Sequence, residues 1–493
     1  MKILLFLLLA SVPALAADDG IPKHPRDLKY PALNYEPPQA SGYRHKLASG
    51  ATAYMVEDHE LPLVNIVVLI RTGKYLEPEG KVGLTSLVGS QMRSGGTKTK
   101  PPAVFDEEAA YLAAQMSSAI ADTMGEARMN CLTRTLDSCM ALFFDMLQNP
   151  GFAEDRLKLA KTQALQGMQR RNDATMEIER REFARLLRGP NFFTVKPITK
   201  ASLESITRED LAAFHSRYYY PSNFIFAVSG DFHTKEMMAK LDKAMAGWQN
   251  GTEKVPEVPK PGFALKPGIY IVDKKDVNQG RVSMGHLGTT FDNPDHLALE
   301  VMNGILGGGG FTSRIMSRVR SDEGLAYSAG SQFSIGRYYD GVFMAGFQSK
   351  SPTVAQAVSI VREEIDRIRT DKVKPDELST EINSSVEALS RRFATAGQKA
   401  MQFASDDYNK MPADYWQTYR DRIKALTADD ILRVAKKYLQ PDKLVTVVVG
   451  DANTILKGNP DKPQYQLSKF GNIERIPLPD PLTMVYPKAQ AAE

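Results

Sequence analysis

The chain of 493 residues is poor in the side chains that usually announce chemistry: two cysteines, two tryptophans and seven histidines. Cys131 and Cys139 cannot by themselves make a four-ligand zinc site, nor can one pair staple a chain this long. The histidines (His24, His45, His59, His215, His233, His286, His296) are scattered without ligand spacing. No His-Glu-x-x-His, Gly-x-Ser-x-Gly or Cys-x-x-Cys occurs, so the common metalloprotease, serine-hydrolase and thiol-redox signatures are missing. Charge of one sign is missing too: 62 Lys and Arg against 58 Asp and Glu leave a net charge of +4, which gives no basic field for nucleic acid. No run past the N-terminus approaches the roughly 20 apolar residues of a membrane span. What is present is ordinary globular material, 43% hydrophobic and 24% charged, enough for a large core.

The first 16 residues have the form of a signal peptide: Lys2, an apolar run from Ile3 to Ala10, and the small-x-small cleavage pattern Ala14-Leu15-Ala16. The expected mature chain starts at Ala17 and is periplasmic or secreted. An oxidising compartment permits a Cys131–Cys139 disulfide, and two buried thiols are the other reading. Residues 17–43 are rich in Pro and Tyr and suit an extended strap. Thr52–Val56 and Val64–Ile70 have strand composition, the second apolar enough to be buried on both faces, and helical periodicity covers about 83–93, 106–118, 136–148 and 154–171. Residues 251–267, with four prolines and three lysines, have the composition of an interdomain linker, and the tail after 458 is again Pro-rich.

An internal repeat organises the rest. Residues Thr207–Phe232 align without a gap onto Thr427–Ala452, an offset of 220, with seven identical pairs including Tyr218/Tyr438, Pro221/Pro441, Gly230/Gly450 and Asp231/Asp451. Each copy predicts a Thr cap, an acidic first turn, an amphipathic helix stopped at Tyr-x-x-Pro, and a buried strand ending in Gly-Asp. The expected class is therefore α+β: two homologous α/β halves, 44–250 and 268–458, each with a mixed sheet flanked by helices, closing as a clam-shell around a chamber.

This organisation resembles the pitrilysin and mitochondrial processing peptidase family, whose zinc-dependent members carry an inverted His-x-x-Glu-His motif. The segment Gly83-Leu84-Thr85-Ser86-Leu87-Val88-Gly89-Ser90-Gln91-Met92 corresponds to the family's zinc helix, and Gly95-Gly96-Thr97 to its end. By this resemblance Ser86 and Ser90 stand where the family has its histidine ligands, Gly89 where it has the glutamate base, and Gly167 at the third ligand, with Gln166 beside it. None of these binds Zn²⁺ usefully, so the resemblance implies a chain that binds no catalytic zinc.

Residues Asn303–Ser328 (NGILGGGGFTSRIMSRVRSDEGLAYS) resemble the family's glycine-rich stretch and its Arg/Tyr pair, here Arg320 and Tyr327. The resemblance implies that the pair reaches across a cleft to a zinc site and donates hydrogen bonds to the carbonyl oxygen on which charge develops. Read alone, Arg320 equally fits a solvated helix face paired to Asp322 or Glu323, and Tyr327 a core aromatic. Gly307, Gly308, Gly309 and Gly310 carry no Gly-Lys-Ser/Thr and make no phosphate loop. The family assigns them to guiding substrate peptide, and a tight connection between helices is the simpler reading. Together these features imply a pseudo-peptidase that acts in trans. A paralogous subunit with the zinc motif would bring the metal, unfolded peptide would be the substrate, and this chain would supply Arg320 and Tyr327. The alternative is a peptide-binding or scaffold protein of the same fold with no proteolytic role.

Overall fold

The computed structural model describes residues 35–487, together with Pro22, His24, Asp27 and Leu28. The expected signal peptide lies outside the described residues. Residues 1–36 form a unit of their own, in which the Asp27 amide donates to the His24 carbonyl (2.9 Å); residues from Pro37 onward form the second. Within that second unit the two repeat copies fold alike. Thr207 caps the helix Arg208–Tyr218 in a reciprocal box with Asp210, and Thr427 caps Ala428–Tyr438 with Asp430 in the same way. Both helices end ahead of a short 3₁₀ turn opened by the proline, Pro221–Asn223 and Pro441–Lys443. Each turn leads into a strand buried along its whole length, Phe224–Gly230 and Val445–Gly450.

Those strands sit inside two six-stranded mixed sheets. The first contains β1 (Arg44–Lys46), β2 (Thr52–Glu57), β3 (Leu63–Ile70), β4 (Gln115–Ile120), β5 (Gly125–Leu132) and β6 (Phe224–Gly230), in the spatial order β1-β2-β6-β3-β5-β4. The chain continues with β7 (Gly268–Asp273), β8 (Gln279–Leu287), β9 (Thr289–Thr290), β10 (Ala326–Phe333), β11 (Ile335–Gly336), β12 (Val342–Lys350), β13 (Val445–Gly450) and β14 (Ile473–Arg475). The second sheet has the order β10-β12-β8-β13-β7-β14, and β9 pairs with β11 apart from it. Read from its other edge it repeats the first: β6 is parallel to β2 and antiparallel to β3, as β13 is parallel to β7 and antiparallel to β8. The protein thus consists of two α/β halves that share one topology over five strands and differ at the sixth, where β1 is antiparallel to β2 and β14 is parallel to β7.

Several local expectations change. The helix expected over 106–118 is Pro102–Tyr111 instead; Ala113 takes a left-handed conformation (φ 51°), and Gln115–Ile120 runs on as β4, paired to β5. Alternating exposure along β4 was masked in the sequence by the small residues Ser117, Ser118 and Ala119 at its centre, which carry no polar/apolar alternation. β3 is not buried on both faces throughout: Leu63, Asn65 and Val67 are only half-buried, whereas β2, on the other side of β6, is buried from Thr52 to Val56. Cys131 on β5 and Cys139 on the helix Leu136–Gln148 are both free and buried, and burial, with Cys139 beside it, pushes the Cys131 thiol up to about 12. Residues past 458 are part of the fold, since β14 pairs with β7.

The cover of β2 explains the exposure pattern. The helix Ala396–Tyr408, from the second half, lies across β2, β6 and β3 of the first sheet, with Phe403 against Tyr54 (ring centroids 6.1 Å) and the Tyr54 hydroxyl donating to Asp407 (3.0 Å). Reciprocally, the helix Thr175–Arg188 from the first half lies on β13 and β8 of the second sheet. Its Ile178, Phe183 and Leu187 share one apolar cluster with Tyr270, Val272, Val445, Val447 and Val449. The helix starts differ by nearly the repeat offset, so each half buries part of its sheet under the other half's copy of the same helix. Fully burying large apolar side chains in this way contributes about 1.5–3 kcal/mol each.

Candidate functional site

The positions that the resemblance sets against a zinc helix lie on Leu84–Ser94, which packs against β4 and against the helix Glu154–Gln169. Glu77 fixes its start: one carboxylate oxygen accepts from the Gly83 and Thr85 amides (3.1 and 2.9 Å) and from the Thr85 hydroxyl (2.7 Å). Burial pushes the Glu77 carboxyl upward, and these three donors oppose that shift. Ser86 and Ser90 are exposed, and the Ser90 hydroxyl donates to the Leu87 carbonyl (3.2 Å). Gly89 is buried flush on β4: a methyl carbon there would meet the Ile120 amide nitrogen at 2.8 Å and Ala119 Cα at 2.9 Å. Gly167 is exposed with open space beside it. These residues do not fit a zinc ion. Two lack any side chain, the hydroxyls are weak ligands, and the backbone of β4 occupies the room a glutamate at 89 needs.

The second half holds an open cleft of about 970 Å³ over β8, β10 and β12, walled by Met176, Glu179, Arg180 and Phe183 of the exchanged helix. Arg320, Tyr327, Gly307, Gly308 and Gly310 line the same cleft. Gly304–Gly308 is a turn of π-helix, an arrangement frequent at functional sites, and Gly310 follows with φ 63°. The run is locked rather than loose. Gly307 lies so close to Ser331 on β10 that any side chain would overlap its amide and hydroxyl. Asn303 donates to the Ser331 carbonyl (3.2 Å) and accepts from its hydroxyl (2.8 Å).

The arginines that follow have different fates. Arg314 is buried in a bidentate pair with Glu377 (both contacts 2.7 Å), and Arg318 donates to Glu364 (2.7 Å) and Glu363 (3.3 Å). Glu323, a potential partner for Arg320, instead accepts from Gln356 (2.9 Å) and Lys462 (3.2 Å). Arg320 itself meets no carboxylate within ion-pair distance among the described residues. Its guanidinium lies between two aromatic rings, 4.6 Å from the centroid of Tyr327 and 4.7 Å from that of Phe311. Tyr327 is 83% exposed and Phe311 68%, so Tyr327 is no core aromatic. Contact with two ring faces holds a guanidinium in place and leaves its edge N–H groups able to donate outward. Phe311 was not legible as a site residue. Its one signal is a bulky aromatic directly after four glycines.

The first half has a cleft of its own, about 750 Å³, over β3, β5 and β6, lined by Gly397, Met401, Gln402 and Ser405 of the other exchanged helix. Two histidines correct the reading that all seven are scattered: His59 and His233 come together with Glu57, their ligand atoms within 4.8 Å of one another. Glu57 ends β2, His59 follows it and His233 follows β6, and only the parallel pairing of these strands makes them neighbours.

Two family profiles match the chain: one described as Insulinase (Peptidase family M16) over residues 53–186, and one described as Peptidase M16 inactive domain over residues 205–385. The Non-peptidase homolog YmxG of Helicobacter pylori is 25% identical over 431 residues, 84% of this chain and 95% of that protein. The Zinc protease PqqE of Helicobacter pylori is 26% identical over 257 residues, 50% of this chain and 55% of that protein. The crystal structure of a peptidase M16 inactive domain from Pseudomonas fluorescens aligns with a TM-score of 0.73 at 23% identity, over 83% of this chain and 97% of its own, a likeness of fold. Among the described residues no helix is long and apolar enough to cross a membrane.

Proposed function

Because the chain belongs to the M16 peptidase family and lacks catalytic zinc ligands, we propose that it is the non-catalytic subunit of a two-chain processing peptidase, exported by its N-terminal segment. The observation that carries this reading is the contrast between the two halves. Position 89 is closed by the backbone of β4, while Arg320 meets no carboxylate among the described residues and lies over two exposed rings at an open cleft. A half-buried cation held in this way at the wall of an open cleft is arranged for an acceptor that is not part of the chain. A peptide carbonyl suits it: Arg320 donates from the guanidinium edge, Tyr327 donates its hydroxyl, and both hydrogen bonds strengthen as negative charge grows on that oxygen. Zinc, its ligands and the general base belong to a paralogous partner with the His-x-x-Glu-His motif, and the substrate is unfolded peptide. Two relatives from one organism, one named a non-peptidase homolog and the other a zinc protease, are in keeping with such a pair.

The test is to purify this chain alone and together with its zinc-motif paralogue and to follow cleavage of an unstructured peptide. The chain alone is expected to be inactive and the mixed complex active. Arg320→Ala and Tyr327→Phe are each expected to lower kcat/KM of the complex at least tenfold without dissociating it. Full activity in both variants removes the pair from the mechanism, and an inactive mixture without association favours a peptide-binding scaffold.

A further inference from the structure

Beyond the family's zinc position, the geometry points to a second locus: we propose that Glu57, His59 and His233 bind one divalent transition-metal ion, Zn²⁺ fitting best, on the surface of the first half. Nδ1 of His233 and Nε2 of His59 lie 3.8 and 3.5 Å from the same oxygen of Glu57, Oε2. Bond lengths of 2.0–2.1 Å in a tetrahedral shell put ligand atoms about 3.3–3.4 Å apart, so each imidazole stands within about 0.5 Å of ligating distance from the carboxylate oxygen, and all three ligand atoms lie within 4.8 Å of one another.

Their other atoms are already held. Glu57 Oε1 accepts from the Thr234 amide at the start of the helix Thr234–Ala244 (2.7 Å), which leaves Oε2 turned toward the imidazoles. His59 Nδ1 meets Asp231 Oδ1 at 2.7 Å, and the second Asp231 oxygen accepts from the Thr133 hydroxyl (3.0 Å). A carboxylate on the far nitrogen of a ligating histidine fixes its tautomer and orientation and raises its basicity as a ligand. The His59 and His233 rings lie with centroids 5.5 Å apart and tilted by 50°, side by side rather than stacked.

Two imidazoles and one carboxylate are the ligand set of three-coordinate protein sites that keep an open position for water or another ligand. That set selects Zn²⁺, Ni²⁺ or Cu²⁺ over the all-oxygen ions Mg²⁺ and Ca²⁺. All three ligands are exposed, so an ion reaches them directly from solvent. The site is distinct from the degenerate zinc helix. That helix packs on β4 at one edge of the sheet, and the cluster lies at the ends of β2 and β6, which β3 and β5 separate from β4. Three to four strand spacings of about 4.8 Å place the two loci on the order of 14–19 Å apart. A bound ion ties the β2–β3 connection to the start of the helix Thr234–Ala244.

The experiment is zinc binding by the purified full chain after chelator treatment, with zinc sulfate as the probe, followed by calorimetric titration and by the thermal midpoint. One Zn²⁺ per chain is expected, with a midpoint raised by the metal. His59→Ala and His233→Ala should each weaken binding at least tenfold, and Asp231→Asn, which touches the ion only through His59, by 10-fold or more. A hundredfold excess of Mg²⁺ should leave the titration unchanged. The two histidines are exposed and Asp231 is half-buried, so the variants are expected to fold, and an unchanged midpoint without metal verifies it. No saturable binding, binding that both histidine variants retain, or displacement by Mg²⁺ would each overturn the site and leave an ion-paired histidine cluster.

Discussion

At position 89 there is no room for even a methyl group. Gly89 lets the helix Leu84–Ser94 lie directly on Ala119 and Ile120, and the space a catalytic glutamate needs is filled by that contact. Gly89→Ala is therefore expected to cost about 1–3 kcal/mol in urea unfolding, whereas Ser86→Ala and Ser90→Ala, on the exposed face, should stay within about 0.5 kcal/mol. Putting His at 86 and 90 with Glu at 89 and 167 should destabilise the chain without creating a tight zinc site there, as metal analysis of a variant that also carries His59→Ala and His233→Ala will show. A stable, zinc-loaded variant of that kind means β4 yields more easily than its backbone contact implies. At the same scale Arg320 differs from Arg314 and Arg318 by its environment alone: three arginines within seven residues, two neutralised by glutamates and one held by aromatic faces.

At the scale of elements, the glycine-rich π-turn is wedged between β10 and the helix Pro375–Arg392. From that helix Glu381 presses its carboxyl against Gly304, and burial, together with the carboxylate of Glu300, raises it from 4.5 to about 7. Glu300 is itself pushed up by burial, while Tyr419 donates to it (3.2 Å) and Arg392 opposes the shift. The folded chain thus holds a proton on Glu381 more firmly than the unfolded chain does. Its contribution to stability is full below about pH 4.5 and is lost as pH rises through about 7. Glu381→Gln, which keeps the shape without the charge, should gain about 1–2 kcal/mol over the parent at pH 8 and little at pH 4.5, allowing for partial exposure to water. Urea unfolding at the two pH values measures this, and an equal change at both would place the carboxylate in a wetter setting than the fold indicates.

For the whole molecule the exchanged helices matter most. Thr175–Arg188 covers the second sheet and Ala396–Tyr408 the first, so cutting the chain between the halves strips an apolar helix from each sheet. Fragments 37–250 and 251–487 expressed singly should unfold without cooperativity and bind hydrophobic dye, and expressed together they should assemble and unfold in one transition. A lone fragment with a sharp transition would show that the exchange adds little. The same exchange walls each cleft with a helix from the opposite half, so movement between the halves would reshape both clefts together.

By itself the sequence determined what local pattern and side-chain chemistry carry. The capped helix and buried strand of each repeat copy follow from a Thr, an acidic turn, a proline stop and an apolar run, and the lack of zinc ligands at Ser86, Gly89, Ser90 and Gly167 follows from what those residues are. Arg320 and Tyr327 were legible as a spacing and a resemblance, but not their stacking with Phe311. Tertiary structure alone decided the strand identity of Gln115–Ile120, the exchange of helices, the closure of position 89 and the meeting of Glu57 and His59 with His233. The physical reason is range: helical and strand periods act over a few residues, whereas β2 lies beside β6 only because a whole sheet forms, across more than 160 residues of intervening chain.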